Sequence, residues 1–218
     1  MKNAKIPATS QAFPIGKIVC LARNYAEHAR ELGNETPPAP VLFMKPSTSV
    51  IGDGDSVRIP AYSQECHYEV ELAVLIGKRC RAVSAENAME YVAGYGTAID
   101  MTLRDVQNQL KAKGLPWEIA KGFDTACPLS DFVPASAVSD PHNLRLRLSV
   151  NGVLRQDGSS ADMINRLPQI VAHISSIFTL EPGDVILTGT PAGVGQVVAG
   201  DVMEAEIEGV ARLTITVR

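Results

Sequence analysis

The chain has 218 residues, 45% hydrophobic and 20% charged, with a formal charge of −4 and a pI near 5.6. That balance excludes a basic footprint for nucleic acid or an anionic membrane surface, and no apolar run approaches the roughly 20 residues that span a bilayer. Cys20, Cys66, Cys80 and Cys127 form no C-x-x-C pair, which argues against structural zinc or a disulfide framework. With no signal-peptide apolar region at Met1-Lys-Asn-Ala-Lys-Ile-Pro7, the expectation is a reduced, cytoplasmic protein.

Residues 1–16 read as an irregular lead-in to one domain over 17–218. A short strand at 17–22 leads to Asn24, placed to cap a helix that ends at 30–32 and is stopped by Gly33. A proline-rich loop, Asn34-Glu-Thr-Pro-Pro-Ala-Pro40, precedes short strands at 41–44 and 57–59. The run His67-Tyr-Glu-Val-Glu-Leu-Ala-Val-Leu-Ile76, followed by Gly77, reads as one strand. Ser84 starts a helix through Tyr91, 93–99 is a buried strand, and Thr102 caps a helix that ends before Gly114. Leu103, Val106 and Leu110 make the apolar stripe of that helix. Residues 144–150 alternate Arg and Leu, and Asn151-Gly152 turns a hairpin into 153–156. A mostly helical stretch at 164–178, despite Pro168, precedes strands at 184–187, 201–207 and 211–217. Helices scattered among many short strands, without regular alternation, indicate a mixed, β-rich α+β domain.

Strand periodicity puts Glu69 and Glu71 on one face with His67, Ala73 and Leu75, and puts Leu72, Val74 and Ile76 on the other. Two like charges side by side in so apolar a strand repel and resist burial, and a divalent cation between them removes both problems. Asp100, ending the apolar run before Thr102, is the best third ligand. An all-carboxylate set favours Mg²⁺, Mn²⁺ or Ca²⁺ over zinc. The alternative is an edge strand whose glutamates face solvent or pair with Lys and Arg.

His28 and Glu31, three apart on the expected helix, have the spacing of an imidazole oriented by a carboxylate for general-base work, or of ordinary polar neighbours. Arg104, Gln107 and Lys121 are candidates for an anion-binding wall, against the alternative of surface charge. Thr188-Gly-Thr-Pro-Ala-Gly-Val-Gly195 lacks the ending of a nucleotide P-loop and reads as a carbonyl or carboxylate cradle or a plain turn. Without a Gly-x-Ser-x-Gly elbow or a His-paired cysteine, nucleophilic Ser or Cys catalysis is not indicated.

Six segments carry a resemblance: Arg23-Asn-Tyr-Ala-Glu-His28, Pro40-Val-Leu-Phe-Met-Lys-Pro-Ser47, His67-Tyr-Glu-Val-Glu-Leu72, Asp100-Met-Thr-Leu-Arg-Asp-Val-Gln107, 117–121 and Leu187-Thr-Gly-Thr-Pro-Ala-Gly-Val-Gly195. In this order they resemble the fumarylacetoacetate hydrolase family, and most closely its short acylpyruvase branch. The resemblance implies a mixed β-sandwich or β-roll with short peripheral helices, as a homodimer. It implies that Glu69, Glu71 and Asp100 ligate Mg²⁺ or Mn²⁺, and that His28 and Glu31 ride on a lid that activates water. Lys121, Arg104, Gln107 and Thr190 match substrate-pocket positions, and Arg23 and Lys45 match positions near it. Two departures are Ala22, where relatives often carry glycine, and the missing counterpart of the N-terminal domain of longer fumarylacetoacetases.

The implied chemistry is cleavage of a C–C bond in 2,4-dioxo acids such as acetylpyruvate or fumarylpyruvate. Water activated by His28 attacks the distal carbonyl, and pyruvate leaves through a metal-stabilised enolate to which Lys121 adds positive charge. Oxaloacetate decarboxylation or keto–enol tautomerisation would use the same site. A non-catalytic, metal-dependent binding protein for oxo acids is the alternative of another class.

Overall fold

The computed structural model of the chain describes residues 2–31, 33, 35 and 37–218. The strands in chain order are β1 (Asn3–Ile6), β2 (Gln11–Pro14), β3 (Ile18–Ala22), β4 (Val41–Lys45), β5 (Val50–Ile51), β6 (Ser56–Val57), β7 (Cys66–Tyr68), β8 (Val70–Ile76) and β9 (Val92–Ile99). They continue as β10 (Thr102–Leu103), β11 (Cys127–Pro128), β12 (Val133–Pro134), β13 (Arg145–Val150), β14 (Val153–Ser159), β15 (Val185–Leu187), β16 (Gly195–Val197), β17 (Val202–Ile207) and β18 (Ala211–Val217). The α-helices are α1 (Ala26–Glu31), α2 (Arg104–Ala112), α3 (Glu118–Lys121) and α4 (Leu167–Ile177). No described helix is long and apolar enough to cross a membrane.

A mixed six-stranded sheet, β12-β9-β8-β15-β3-β4, forms the central layer. Every residue of β8 is buried, because apolar material covers both faces. Leu72, Val74 and Ile76 join the larger core, while Ala73 and Leu75 join a second core on the other face. The larger core is closed by the five-stranded sheet β14-β13-β17-β18-β6, whose alternating patterns turn Leu146, Leu148, Met203, Ala205, Leu213 and Ile215 inward. Helix α4 adds Leu167, Ile170, Val171 and Ile174 to the same core. The architecture is the β-rich α+β arrangement that the scattered short elements indicate.

Several local expectations change. Residues 3–14 are not irregular: β1 and β2 pair as an antiparallel hairpin, and Ala4 and Ile6 fill the second core. Residues 84–91 form turns and a 3-10 segment at Ala88–Tyr91 rather than a helix from Ser84. The run 67–76 is two strands broken at Glu69: β7 pairs with β10 and β16, while β8 lies in the central sheet. Thr102 does not cap α2; it is a strand residue, Leu103 precedes the helix, and no side chain caps its start. Asn24 does not cap α1 either: its amide donates to Thr188 O (2.8 Å) and Asn165 O (3.1 Å), tying the chain before α1 to two distant loops. Gly33, with φ 64°, donates to Arg30 O, as a helix stop requires, whereas Leu32, Asn34 and Thr36 lie outside the described residues. Helix α4 tolerates Pro168 because it lies in the first turn, where no intrahelical N–H is needed. The Asn151-Gly152 hairpin forms as expected, both residues in the left-handed region at φ 52° and 75°.

All four cysteines are free and buried. Burial pushes the Cys66 and Cys127 thiols up to about 12, and raises Cys20 and Cys80 as well. An aromatic disulfide reagent at pH 8 is therefore expected to find no fast-reacting thiol in the native protein and all four cysteines after denaturation. A native thiol reacting within seconds would contradict this packing.

Candidate active site

The break at Glu69 and the register of the next strand create the site. Val70 pairs with Ile99, so Asp100 lies opposite Glu69 and its N–H donates to Glu69 O at 2.8 Å. Glu69, Glu71 and Asp100 thereby bring carboxylate oxygens within 4.8 Å of one another, all three side chains buried. Gln156, wholly buried on β14, secures the break: it accepts from Val70 N at 2.9 Å and donates to Thr190 Oγ1 at 2.8 Å and Pro191 O at 2.9 Å. Thr190 in turn donates to Val70 O at 2.7 Å. A polar residue in a strand gives no sequence signal for such a role, and Gln156 is absent from the sequence-derived candidates.

Lys121, at the end of α3, donates to Glu69 Oε2 (2.9 Å), Asp100 Oδ2 (2.7 Å) and Thr102 Oγ1 (2.6 Å). Burial alone would lower its pKa, but Asp100 and Glu69 outweigh burial and raise it, so Lys121 is a fixed cation. Arg104 bonds Glu69 Oε1 through Nη2, Gln107 Oε1 (2.6 Å) through Nη1 and His67 Nδ1 (3.4 Å) through Nε. Burial would raise Glu69, but Lys121 and Arg104 hold it well below the usual carboxylate range. Glu71 differs. Among the described residues it makes no ion pair, and its direct hydrogen bond is from Gly189 N–H at 2.6 Å. Burial, then the charges of Asp100 and Glu69, push it well above the ordinary range.

Lys45 lies behind Asp100 rather than in the cleft. Its Nζ donates to the carbonyls of Met101, Lys121 and Ala126 and sits 2.7 Å from Asp100 Oδ1. An ammonium has three donors, and all go to carbonyls. Asp100 Oδ1 therefore feels a positive charge yet receives no hydrogen bond. Lys45 thus stands near the pocket, as the resemblance implies, but beneath the carboxylate cluster and outside the cleft lining. Glu71 without an ion pair, an Asp100 oxygen without a donor and a third carboxylate beside them make a cluster of hard oxygen ligands. Such a set fits Mg²⁺ or Mn²⁺.

The cleft above these carboxylates is lined by Arg23, His28, Arg104, Gln107, Lys121 and Thr190, which brings together most of the sequence-derived candidates. Trp117, Phe43 and Lys111 also line it and were given no role from sequence. The Phe43 and Trp117 rings lie 6.0 Å apart, and Lys121 Nζ is 4.9 Å from the Phe43 centroid, a cation–π contact that steadies the ammonium. His28 is buried on α1 with Nδ1 3.4 Å from Glu31 Oε2, while Glu31 also accepts from Gly193 N–H at 3.1 Å. Glu31 is thus an orienting group behind His28, outside the cleft lining. Gly193 has φ 97°, and a Cβ there would lie 2.3 Å from Arg155 O, so only glycine fits where this N–H meets Glu31.

The model for the C-terminal region of fumarylacetoacetate hydrolase matches residues 17–218. The chain belongs to the fumarylacetoacetate hydrolase family. It is 54% identical over 200 residues to the mitochondrial oxaloacetate tautomerase FAHD1 of Bos taurus, covering 92% of this chain and 90% of the relative. It is 48% identical over 198 residues to the oxaloacetate tautomerase YcgM of Escherichia coli (strain K12), covering 90% of each. The crystal structure of fumarylpyruvate hydrolase from Pseudomonas aeruginosa, in complex with Mn²⁺ and pyruvate, superposes with a TM-score of 0.94 at 37% identity, covering 99% of this chain and 95% of that one. The chain is therefore an enzyme of this family with a β-rich fold like theirs, and the resemblance carried by the six sequence segments holds.

Proposed function

We propose that the protein is a divalent-metal-dependent enzyme that interconverts the keto and enol forms of a short 2-oxo acid, oxaloacetate being the leading substrate. The observation that carries this reading is the buried carboxylate triad, in which Glu71 and Asp100 Oδ1 lack cationic hydrogen-bond donors although Lys121 and Lys45 stand beside them. The relatives at 54% and 48% identity, both oxaloacetate tautomerases, support the choice of reaction. Glu69, Glu71 and Asp100 would hold Mg²⁺ or Mn²⁺, and a cation there polarises an oxo oxygen and stabilises negative charge on it. Lys121, kept protonated by Asp100 and Glu69, adds a fixed positive charge on the same side. His28, its Nδ1 oriented by Glu31, takes a proton from C3 at Nε2 and returns one to complete tautomerisation.

A second reading, hydrolysis of acylpyruvates, is favoured by that same oriented imidazole. His28 would then take a proton from water as it attacks the 4-carbonyl of a 2,4-dioxo acid. The C3–C4 bond breaks, C3 gains a proton, and pyruvate and a carboxylic acid leave. The Mn²⁺–pyruvate complex of the fumarylpyruvate hydrolase supports keeping this reading. Comparing the decay of enol oxaloacetate with pyruvate release from acetylpyruvate and fumarylpyruvate separates the two. Tautomerisation faster than any pyruvate release is expected, and the reverse order would make the enzyme an acylpyruvase. Replacing His28 by alanine is expected to lower the dominant activity about 10²–10⁴-fold. Near-parental rates in that variant would remove His28 from the proton transfers.

A further inference from the structure

Strand β14 leaves Val153 and Leu154 exposed and turns the polar Gln156 into the core, against the usual amphipathic pattern. The cause is a β-bulge. Leu148 pairs with Gln156 and Ser149 with Leu154, so Arg155 is an extra residue with no partner across the ladder. Without that residue, the position opposite buried Leu148 would fall to Arg155, and Gln156 would turn to the other face. Bulges re-aim side chains in this way beside active sites. Once inside, the Gln156 amide is fully engaged: Oε1 accepts from Val70 N–H, and the two Nε2 hydrogens go to Thr190 Oγ1 and Pro191 O.

The loop that Gln156 grips, residues 188–193, touches both halves of the site. On one side it runs along β8 beside the carboxylates. Thr188 Oγ1 donates to Leu72 O at 2.9 Å, Gly189 N–H to Glu71 Oε2 at 2.6 Å and Thr190 Oγ1 to Val70 O at 2.7 Å. On the other side it holds α1. Asn24 donates to Thr188 O at 2.8 Å, and Gly193 N–H donates to Glu31, the carboxylate beside His28 Nδ1. A Cβ on Gly158 would overlap the Pro191 ring, and one on Gly193 the Arg155 carbonyl, so β14 and the loop are in contact on both sides of Gln156.

We propose that Gln156 is a positioning residue for the reaction, fixing the metal carboxylates and the His28–Glu31 pair in one register. Its Oε1 holds Val70, the residue between Glu69 and Glu71, and its Nε2 holds the loop that anchors Glu31. Gln156 touches neither substrate nor metal and acts only through these neighbours. The inference rests on the reading of the site as a metal centre served by an oriented imidazole, and it adds the residue that ties the two together.

Two measurements without turnover test it: Mn²⁺ titration followed by electron paramagnetic resonance, and long-range ¹⁵N NMR of the His28 ring, assigned by its absence from His28→Ala. The parent is expected to bind Mn²⁺ and to hold His28 with the proton on Nδ1, facing Glu31. In Gln156→Met, Mn²⁺ should bind at least about tenfold more weakly and the His28 tautomers should mix. A merely structural role would lower Tm and move neither readout. Gly158→Ala, which removes no buried group, decides the matter if Gln156→Met does not fold. Its added methyl displaces Pro191, so the tautomers should mix while Mn²⁺ affinity stays within about threefold, since Val70 keeps its partner. Either effect missing in folded Gln156→Met, an unchanged tautomer in Gly158→Ala, or mixed tautomers in the parent overturns the role of Gln156 alone. A parent that binds no Mn²⁺ overturns the metal-centre reading and this inference with it.

Discussion

Glu71→Gln is expected to abolish turnover while raising the thermal stability of the metal-free protein. Glu71 is 1% exposed, and its charge is opposed by burial, Asp100 and Glu69 together. Its direct hydrogen bond comes from the neutral Gly189 N–H, which a glutamine carbonyl oxygen accepts equally well. Removing the charge relieves two repulsions at constant shape, so Tm should rise by roughly 2–4 °C for a chain of this size. The same change removes an anionic ligand, and loss of several kcal/mol of charge stabilisation lowers kcat by about 10³-fold or more. Differential scanning calorimetry and an oxaloacetate assay on one preparation check both halves. A metal-free Glu71→Gln protein less stable than its parent would show that the carboxylate is paired in a way this geometry does not contain.

Lys121→Met is expected to have the opposite effect on stability. The ammonium bridges Glu69 and Asp100, and its loss leaves two buried carboxylates facing each other. Breaking a buried pair from one side costs about 3–5 kcal/mol, a large share of a domain's net stability. Turnover should fall as well, since the fixed charge beside the substrate oxygen is gone. A divalent cation binding the native carboxylates replaces part of the missing charge, so millimolar Mg²⁺ should recover more stability in Lys121→Met than in the parent. Urea denaturation with and without Mg²⁺ measures this, and a variant as stable as the parent without metal would contradict the bridging role. Glu71 and Lys121 therefore bracket the site: one residue strained for function, the other neutralising its neighbours.

Much of this site was legible in the sequence because strand periodicity is strict. Glu69 and Glu71 had to share a face, and Asp100 ended the next long apolar strand, so pairing of the two strands brought it opposite. The spacing of Arg104 and Gln107, and of His28 and Glu31, likewise survived because helical geometry is local. The break at Glu69 was hidden, since an apolar run buried on both faces carries no mark where it leaves one sheet for another. Thr102 and Asn24 each have the local sequence pattern of a helix cap. Their side chains instead serve distant groups, Lys121 for Thr102, and Thr188 and Asn165 for Asn24. Lys45 resembles a solvated strand-end lysine until the carbonyls of 101, 121 and 126 close around it, a contact no spacing reveals. The N-terminal hairpin was obscured because its strands are short and expose every other residue or more.

Direct metal binding tests the central claim most closely. Protein stripped with chelator and titrated with Mn²⁺, followed by electron paramagnetic resonance of the free ion, should take up one ion per chain and regain activity in step with occupancy. Glu69→Ala, with one of the three carboxylates gone, should bind at least about tenfold more weakly. Full activity in metal-free protein, or undiminished Mn²⁺ uptake by Glu69→Ala, would contradict the assignment of Glu69, Glu71 and Asp100 as the metal centre.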